Sequence, residues 1–200
     1  MAGVEAAVEA LRRGEPVILP TDTVYGLCSS VDEEAVGRMY RVKGRRGEQP
    51  TAIVGSSVGA LLESVPELAG RSEEIARALL PGPFTLVLPN PARRLPWLTG
   101  SKPETIGVRV PELPPLAAAV VGAVGVVAAT SANLPGETPA HRVVELPEEL
   151  RAGVGAIVDA GELPGIASTV IDCSGAEPRV LREGAVPASE ALELLRAVLG

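Results

Sequence analysis

Cysteine is nearly missing from this chain. Cys28 and Cys173 are the only two, far apart and outside any C-x-x-C pairing, which excludes a disulfide framework or a cysteine zinc site and predicts buried free thiols. Histidine occurs once, at His141, too few for a histidine metal cluster or a catalytic triad, so a surface or capping role is expected for it. The four aromatics, Tyr25, Tyr40, Phe84 and Trp97, are too few for the stacking platforms on which single-strand binders hold bases. Basic residues are outnumbered, 18 to 25, giving a formal charge of −7. That argues against a surface that attracts nucleic acid throughout, but not against a local basic cleft. No apolar run reaches the roughly 18 residues of a membrane span, and Met1 to Gly14 carries acids without a basic-then-apolar leader pattern. A soluble, cytoplasmic protein with no membrane contact is expected. Neither G-x-x-x-x-G-K-[ST] nor G-x-G-x-x-G occurs, so any phosphate must be held by another device.

What is present is hydrophobic and rich in turn residues. With 46% hydrophobic residues in 200, the chain can build a sizeable core, and one domain over residues 1–200 is expected. The 22 glycines and 19 prolines point to tight turns between short strands. Helices are predicted over Val4 to Leu11, from the Asp32 N-cap to about Val42, over Ser56 to Ser64, Ser72 to Leu80, and Pro187 to Leu199. Short strands are predicted at 16–20, continuing extended through Thr21 to Leu27, and at 52–54, 84–88, 105–110, 124–129, 156–159, 169–172 and 179–181. Helices and strands interleave and several strands crowd the end of the chain. The fold class expected is α/β, with a mixed sheet of parallel and antiparallel strands flanked by helices.

Four polar groupings stand out. Lys43-Gly44-Arg45, read as extended, would place two cations on one side of the chain with a glycine between them, and Arg46 adds a third. Taken alone, such a run is more often a solvated basic turn. Ser131 and Asn133 follow the apolar strand at 124–129, where a strand's carboxyl end meets ligands in open α/β sheets, although a self-bonded turn explains them as well. Thr21, Asp22 and Thr23 sit in an apolar strand region, where burying hydroxyls and a carboxylate costs stability unless they bind something. Arg109, in Ile106-Gly107-Val108-Arg109-Val110, faces either water or a substrate carboxylate.

Taken in order, P-T-D-T-V-Y-G-L at 20–27, K-x-R at Lys43 and Arg45, P-G-P-F-T at 81–85, W-L-T-G at 97–100, V-R-V-P at 108–111, S-A-N-x-x-G at 131–136, S-T-V at 168–170 and L-R-x-G at 181–184 resemble the YrdC-like threonylcarbamoyl-AMP synthases. One such fragment means little, whereas eight in order across nearly the whole chain are specific. The resemblance implies a twisted mixed sheet with a concave basic cleft. It further implies a nucleotidyltransferase in which L-threonine and bicarbonate form a carbamate that attacks the α-phosphate of ATP and expels pyrophosphate. Mg2+ would arrive with ATP; no metal ligand is assigned. The product would pass to a tRNA-modifying complex acting on the adenosine beside the anticodon in tRNAs reading ANN codons.

By position, the resemblance gives Lys43 and Arg45 to the phosphates as the catalytic cations. Ser131, Asn133 and Arg182 fall to ATP or the adenylate, and Thr23, Arg109, Thr130 and Ser168 to threonine. The chain departs from the family pattern at Arg46, where relatives often have proline, and at Val54, where they often have a histidine that would touch threonine. It also stops near Gly200, the expected short form, where longer relatives append a second domain. Two alternatives stay open: a paralogue of the same fold acting on another carbamoyl substrate, and an RNA-binding module, for which even a weak RNA contact would use the cleft.

Overall fold

The computed structural model describes residues 2–45, 47 and 49–199; Arg46 lies outside them. The elements in order are α1 (Ala2–Arg12), β1 (Val17–Pro20), β2 (Tyr25–Ser29), α2 (Glu33–Lys43), β3 (Ala52–Gly55), α3 (Val58–Ser64), α4 (Arg71–Leu79), β4 (Phe84–Pro89) and α5 (Pro96–Thr99). They continue with β5 (Thr105–Arg109), α6 (Pro115–Val124), β6 (Val126–Ser131), a 3-10 turn at Val143–Glu145, α7 (Glu148–Gly153), β7 (Ala156–Ile157), β8 (Thr169–Asp172), β9 (Arg179–Arg182) and α8 (Ala188–Leu199). Among the described residues the strands form one sheet in the order β7-β1-β2-β6-β3-β5-β4-β8-β9. β1/β7, β3/β5 and β4/β8 pair parallel; the other neighbours are antiparallel. The expected mixed sheet is what forms.

Strand alternation decides which face becomes the core. Successive side chains point to opposite faces, and β4 and β5 alternate cleanly. Phe84, Leu86 and Leu88 are buried with Ile106 and Val108, whereas Thr85, Val87, Thr105, Gly107 and Arg109 point the other way. The first face, continued by Ile18, Leu27, Ile53, Ala128 and Ile171, packs in the larger core with Val36 and Met39 of α2, Ile75 of α4 and Leu195 of α8. On the second face, Val17, Leu19, Cys28, Val54 and Val127 pack with Ala7 and Leu11 of α1 and Ala117, Val120 and Val121 of α6. Those two helices cover only that end of the sheet. The rest of the second face stays open as a cleft.

The sequence reading missed α6, together with the short α5 and α7, and began β6 two residues early. Pro-Leu-Ala-Ala-Ala-Val-Val-Gly-Ala-Val is apolar on all sides, so it carries no 3.6-residue period to read. Gly125, at φ 81°, ends the helix. Cys28 and Cys173 are buried free thiols, as expected. His141 and Arg142 both donate their backbone N–H to Glu145 Oε2, which caps the 3-10 turn, and His141 Nδ1 lies 2.8 Å from the same carboxylate. Among the described residues no helix is long and apolar enough to cross a membrane.

Candidate active site

The open face forms a cleft of about 640 Å³, within the size range of small-molecule sites. Its floor is small and apolar, with Gly26, Ala129, Ala52, Gly107 and Val87 from neighbouring strands. Among its polar groups are Thr130 and Ser131 on β6, Arg109 on β5, Thr85 on β4, Ser168 before β8, and Arg182 on β9. Of the residues expected from sequence, Arg109, Thr130, Ser131, Ser168 and Arg182 therefore share this wall, while Lys43, Arg45, Asn133 and Thr23 stand behind it.

Lys43 and Arg45 do not lie on an extended segment, contrary to the sequence reading. Lys43 closes α2, and Gly44 takes the left-handed conformation at φ 65°. Gly44 N–H bonds Arg41 O and Arg45 N–H bonds Tyr40 O, the Schellman arrangement in which glycine avoids the Cβ penalty. The turn aims both cations at the end of β6. The buried Lys43 Nζ donates to the carbonyl oxygens of Ser131 and Asn133 and to Asn133 Oδ1. Arg45 donates to Thr130 Oγ1 at 3.3 Å and to the carbonyls of Gln49 and Pro50, and lies over the Tyr40 ring at 5.2 Å. Asn133 Nδ2 bonds Leu134 O and Glu137 O, fixing the turn that follows. The Ser-Ala-Asn segment is thus held from behind by a buried ammonium.

Burial, and secondarily Arg45, lowers the Lys43 ammonium to about 8, while its carbonyl acceptors favour the charged form. If that charge is needed for nucleotide binding, kcat/KM for ATP will be flat below pH 8 and fall above it. The bound triphosphate will push the kcat limb higher. Unfolding does not produce the same decline: a folded-state lysine below its usual 10.5 loses its proton first in the folded chain, so this group's contribution to stability rises with pH above 8. The buried thiols Cys28 and Cys173, raised to about 12 and about 11, lose stability for the fold only as pH passes their ordinary value of 9.0. Parallel melts at pH 8 to 9 separate the two effects.

The Thr-Asp-Thr segment is a hairpin turn and not the extended strand expected from sequence, because β1 and β2 pair antiparallel with Pro20 opposite Tyr25. Thr21 Oγ1 donates to Val24 O at 2.7 Å and lies 3.0 Å from Thr23 Oγ1, to which Arg109 Nη2 donates at 2.9 Å. Arg109 can only donate and a carbonyl can only accept. The proton order is therefore fixed as Arg109 to Thr23 to Thr21 to Val24 O. Thr23, 1% exposed, thereby braces Arg109. Asp22 forms an ion pair with Arg109 and accepts from Glu112 N–H at 3.3 Å. Burial raises the Asp22 carboxyl and lowers the Arg109 guanidinium, so desolvation outweighs their mutual attraction in both. Arg109 Nε is buried without a hydrogen-bond partner. A braced guanidinium on a residue that lines the cleft suits a carboxylate.

At the other end of the same wall, Arg182 Nη2 donates to Ser168 O at 2.8 Å and Ser168 Oγ at 3.2 Å, and Thr85 Oγ1 lies 2.9 Å from Ser168 Oγ. A Cβ at Gly184 would come within 2.5 Å of Ser168 backbone atoms, so glycine is required there to seat Ser168. Thr85 was not among the expected site residues; its signal was the β4 alternation, which turns it to the open face. Val54 lines the cleft beside Arg109, its register partner.

A family model described as "Telomere recombination", of the Sua5, YciO and YrdC proteins, matches residues 9–184. Threonylcarbamoyl-AMP synthase of Xanthomonas campestris is 34% identical over 167 residues, covering 82% of this chain and 88% of that protein. Among solved structures, Pyrococcus abyssi Sua5 complexed with L-threonine superposes with a TM-score of 0.83 at 32% identity, over 98% of this chain and 58% of that one. Escherichia coli YciO superposes with a TM-score of 0.80 at 28% identity, over 94% and 92%.

Proposed function

This chain belongs to the Sua5–YciO–YrdC family, and on that premise we propose that it is a threonylcarbamoyl-AMP synthase, a nucleotidyltransferase that joins L-threonine, bicarbonate and ATP. The observation that carries the reading is the cleft wall. A braced arginine suited to a carboxylate, Arg109, shares it with Ser168 and Arg182 at one end and with Thr130 and Ser131 at the other, where Lys43 and Arg45 stand directly behind. Threonine sits with its carboxylate at Arg109. Its amine combines with bicarbonate to give the carbamate and water, and a carbamate oxygen forms a bond to the α-phosphorus of ATP as the bond to the pyrophosphate oxygen breaks. Charge gathers on phosphate oxygens during this transfer, so fixed cations and dipoles lower the barrier without a protein nucleophile.

Ser131 and Arg182 meet the nucleotide from the cleft wall, with Asn133 fixing the turn behind Ser131 and Lys43 and Arg45 behind it as the cations of the phosphate end. Among the described residues no group of three acids, histidines or cysteines forms a cage for a metal. Mg2+ fits as a companion of the triphosphate, keeping waters and phosphate oxygens as ligands, and it would supply charge neutralisation there. The adenylate then passes to a tRNA-modifying complex that transfers the threonylcarbamoyl group to adenosine beside the anticodon in tRNAs reading ANN codons.

The test is to incubate the purified chain with radiolabelled bicarbonate, ATP, Mg2+ and L-threonine, with serine and no-amino-acid controls. Labelled adenylate and pyrophosphate that depend on threonine are expected. Product with a different amino acid alone would favour a paralogous substrate, consistent with Val54 beside Arg109; no product with any amino acid sinks the reading.

A further inference from the structure

We propose that Thr85, paired with Ser168, reads a hydroxyl on the amino acid held at Arg109, making it a specificity-determining residue; this rests on the amino-acid site assigned above. Val54, Arg109, Thr85, Val170 and Arg182 form one lateral row across five strands. Val54 pairs with Arg109, Thr85 with Val170 and Val170 with Arg182, while Arg109 and Thr85 come next after the Val108–Leu86 pair. All five line the cleft. Neighbouring strands are about 4.8 Å apart, so a carboxylate on Arg109 brings the β-carbon substituents of a small amino acid to Thr85 and Val170.

Proton counting shows what this pair can recognise. Thr85 and Ser168 each carry one hydroxyl proton, and one of the two is used in the 2.9 Å bond between them. Arg182 only donates to Ser168 Oγ, so it takes neither proton. Whichever way the pair is oriented, one proton remains, and among the described residues nothing accepts it. Ser168 is 4% exposed, so an unused donor there is costly, and the pair is best satisfied with Ser168 donating to Thr85, whose own proton then faces the cleft. A ligand hydroxyl satisfies it by accepting that proton. Val54 and Val170, on either side, offer apolar contact to a methyl. Together these features describe a β-hydroxy, β-methyl amino acid.

The test compares direct calorimetric binding of L-threonine, L-2-aminobutyrate (no hydroxyl) and L-serine (no methyl) to wild type, Thr85→Val and Thr85→Ser. Valine keeps the shape of Thr85 without its hydroxyl. Wild type is expected to prefer threonine over 2-aminobutyrate by at least about tenfold. That preference should shrink to about twofold in Thr85→Val and persist in Thr85→Ser, with ATP affinity and melting temperature little changed. If Thr85 only props Ser168, both ligands weaken together and their ratio stays as in wild type. An unchanged ratio, or no preference in wild type, overturns the inference. Binding is read without turnover, so failure of the synthase assay and failure of hydroxyl reading are separate results.

Discussion

Replacing Lys43 by methionine will lower adenylate formation about 10²–10³-fold, the size of effect seen when one fixed donor to a developing anion is removed. Methionine keeps the length of the stem and removes the charge. The ammonium donates to Asn133 O and Asn133 Oδ1 as well as to Ser131 O. Ser131 O keeps the Asn133 N–H at 3.1 Å, so loss of the ammonium leaves the two Asn133 oxygens without a donor, each costing about 1–3 kcal/mol. Relief of the buried charge offsets part of that cost. A net destabilisation of about 2 kcal/mol is expected, with the chain still folded. Pyrophosphate release gives the rate and a denaturant melt gives the stability. The two roles also separate kinetically. A lysine that only supports the Ser-Ala-Asn turn would raise KM for ATP and leave kcat near wild type, whereas one that meets phosphate charge in the transition state lowers kcat. Activity near wild type would remove Lys43 from the machinery.

Arg109→Met will raise KM for threonine by about 10²-fold or more, with KM for ATP nearly unchanged, because a charge-assisted carboxylate contact is lost and the β6 end of the cleft is untouched. The same substitution will destabilise the fold by about 3–5 kcal/mol, since it leaves a buried carboxylate without its cation. Asp22 and Arg109 have side chains only 12% and 11% exposed, so water cannot stand in. Adding Asp22→Asn removes the stranded charge. The double variant should therefore recover most of the stability and none of the threonine affinity. Recovery of both would show that Asp22 and Arg109 form a structural pair alone. Equal effects of Arg109→Met on both substrates would argue against the division of the cleft.

The strand alternation of β4 and β5, the Asp32 cap and the eight ordered motifs were legible in the sequence because each is a local pattern. A period of two places Thr85 and Arg109 on the face opposite Leu86 and Val108 wherever the strand lies. Other features were not legible for equally physical reasons. The uniformly apolar α6 has no period, so only its packing on α1 reveals it as the helix that leaves the cleft uncovered beyond it. The Thr-Asp-Thr stretch looked extended because hydroxyls that close a hairpin turn have the same composition as hydroxyls that await a ligand. Lys43-Gly44-Arg45 looked like one cationic edge because the left-handed Gly44 that ends α2 and redirects the chain cannot be told from a strand glycine by spacing.

The sequence by itself determined most of the strands, the helices that carry a period or a cap, and the family of chemistry, since these follow from periodicity, caps and motif order within short windows of chain. Only the tertiary structure decided what each polar group does. Lys43 meets Ser131 across 88 positions, Arg109 meets Asp22 across 87, and Thr85 meets Ser168 across 83. A buried charge or hydroxyl takes its role from the partner that satisfies it, and those partners are supplied by the order of strands in the sheet.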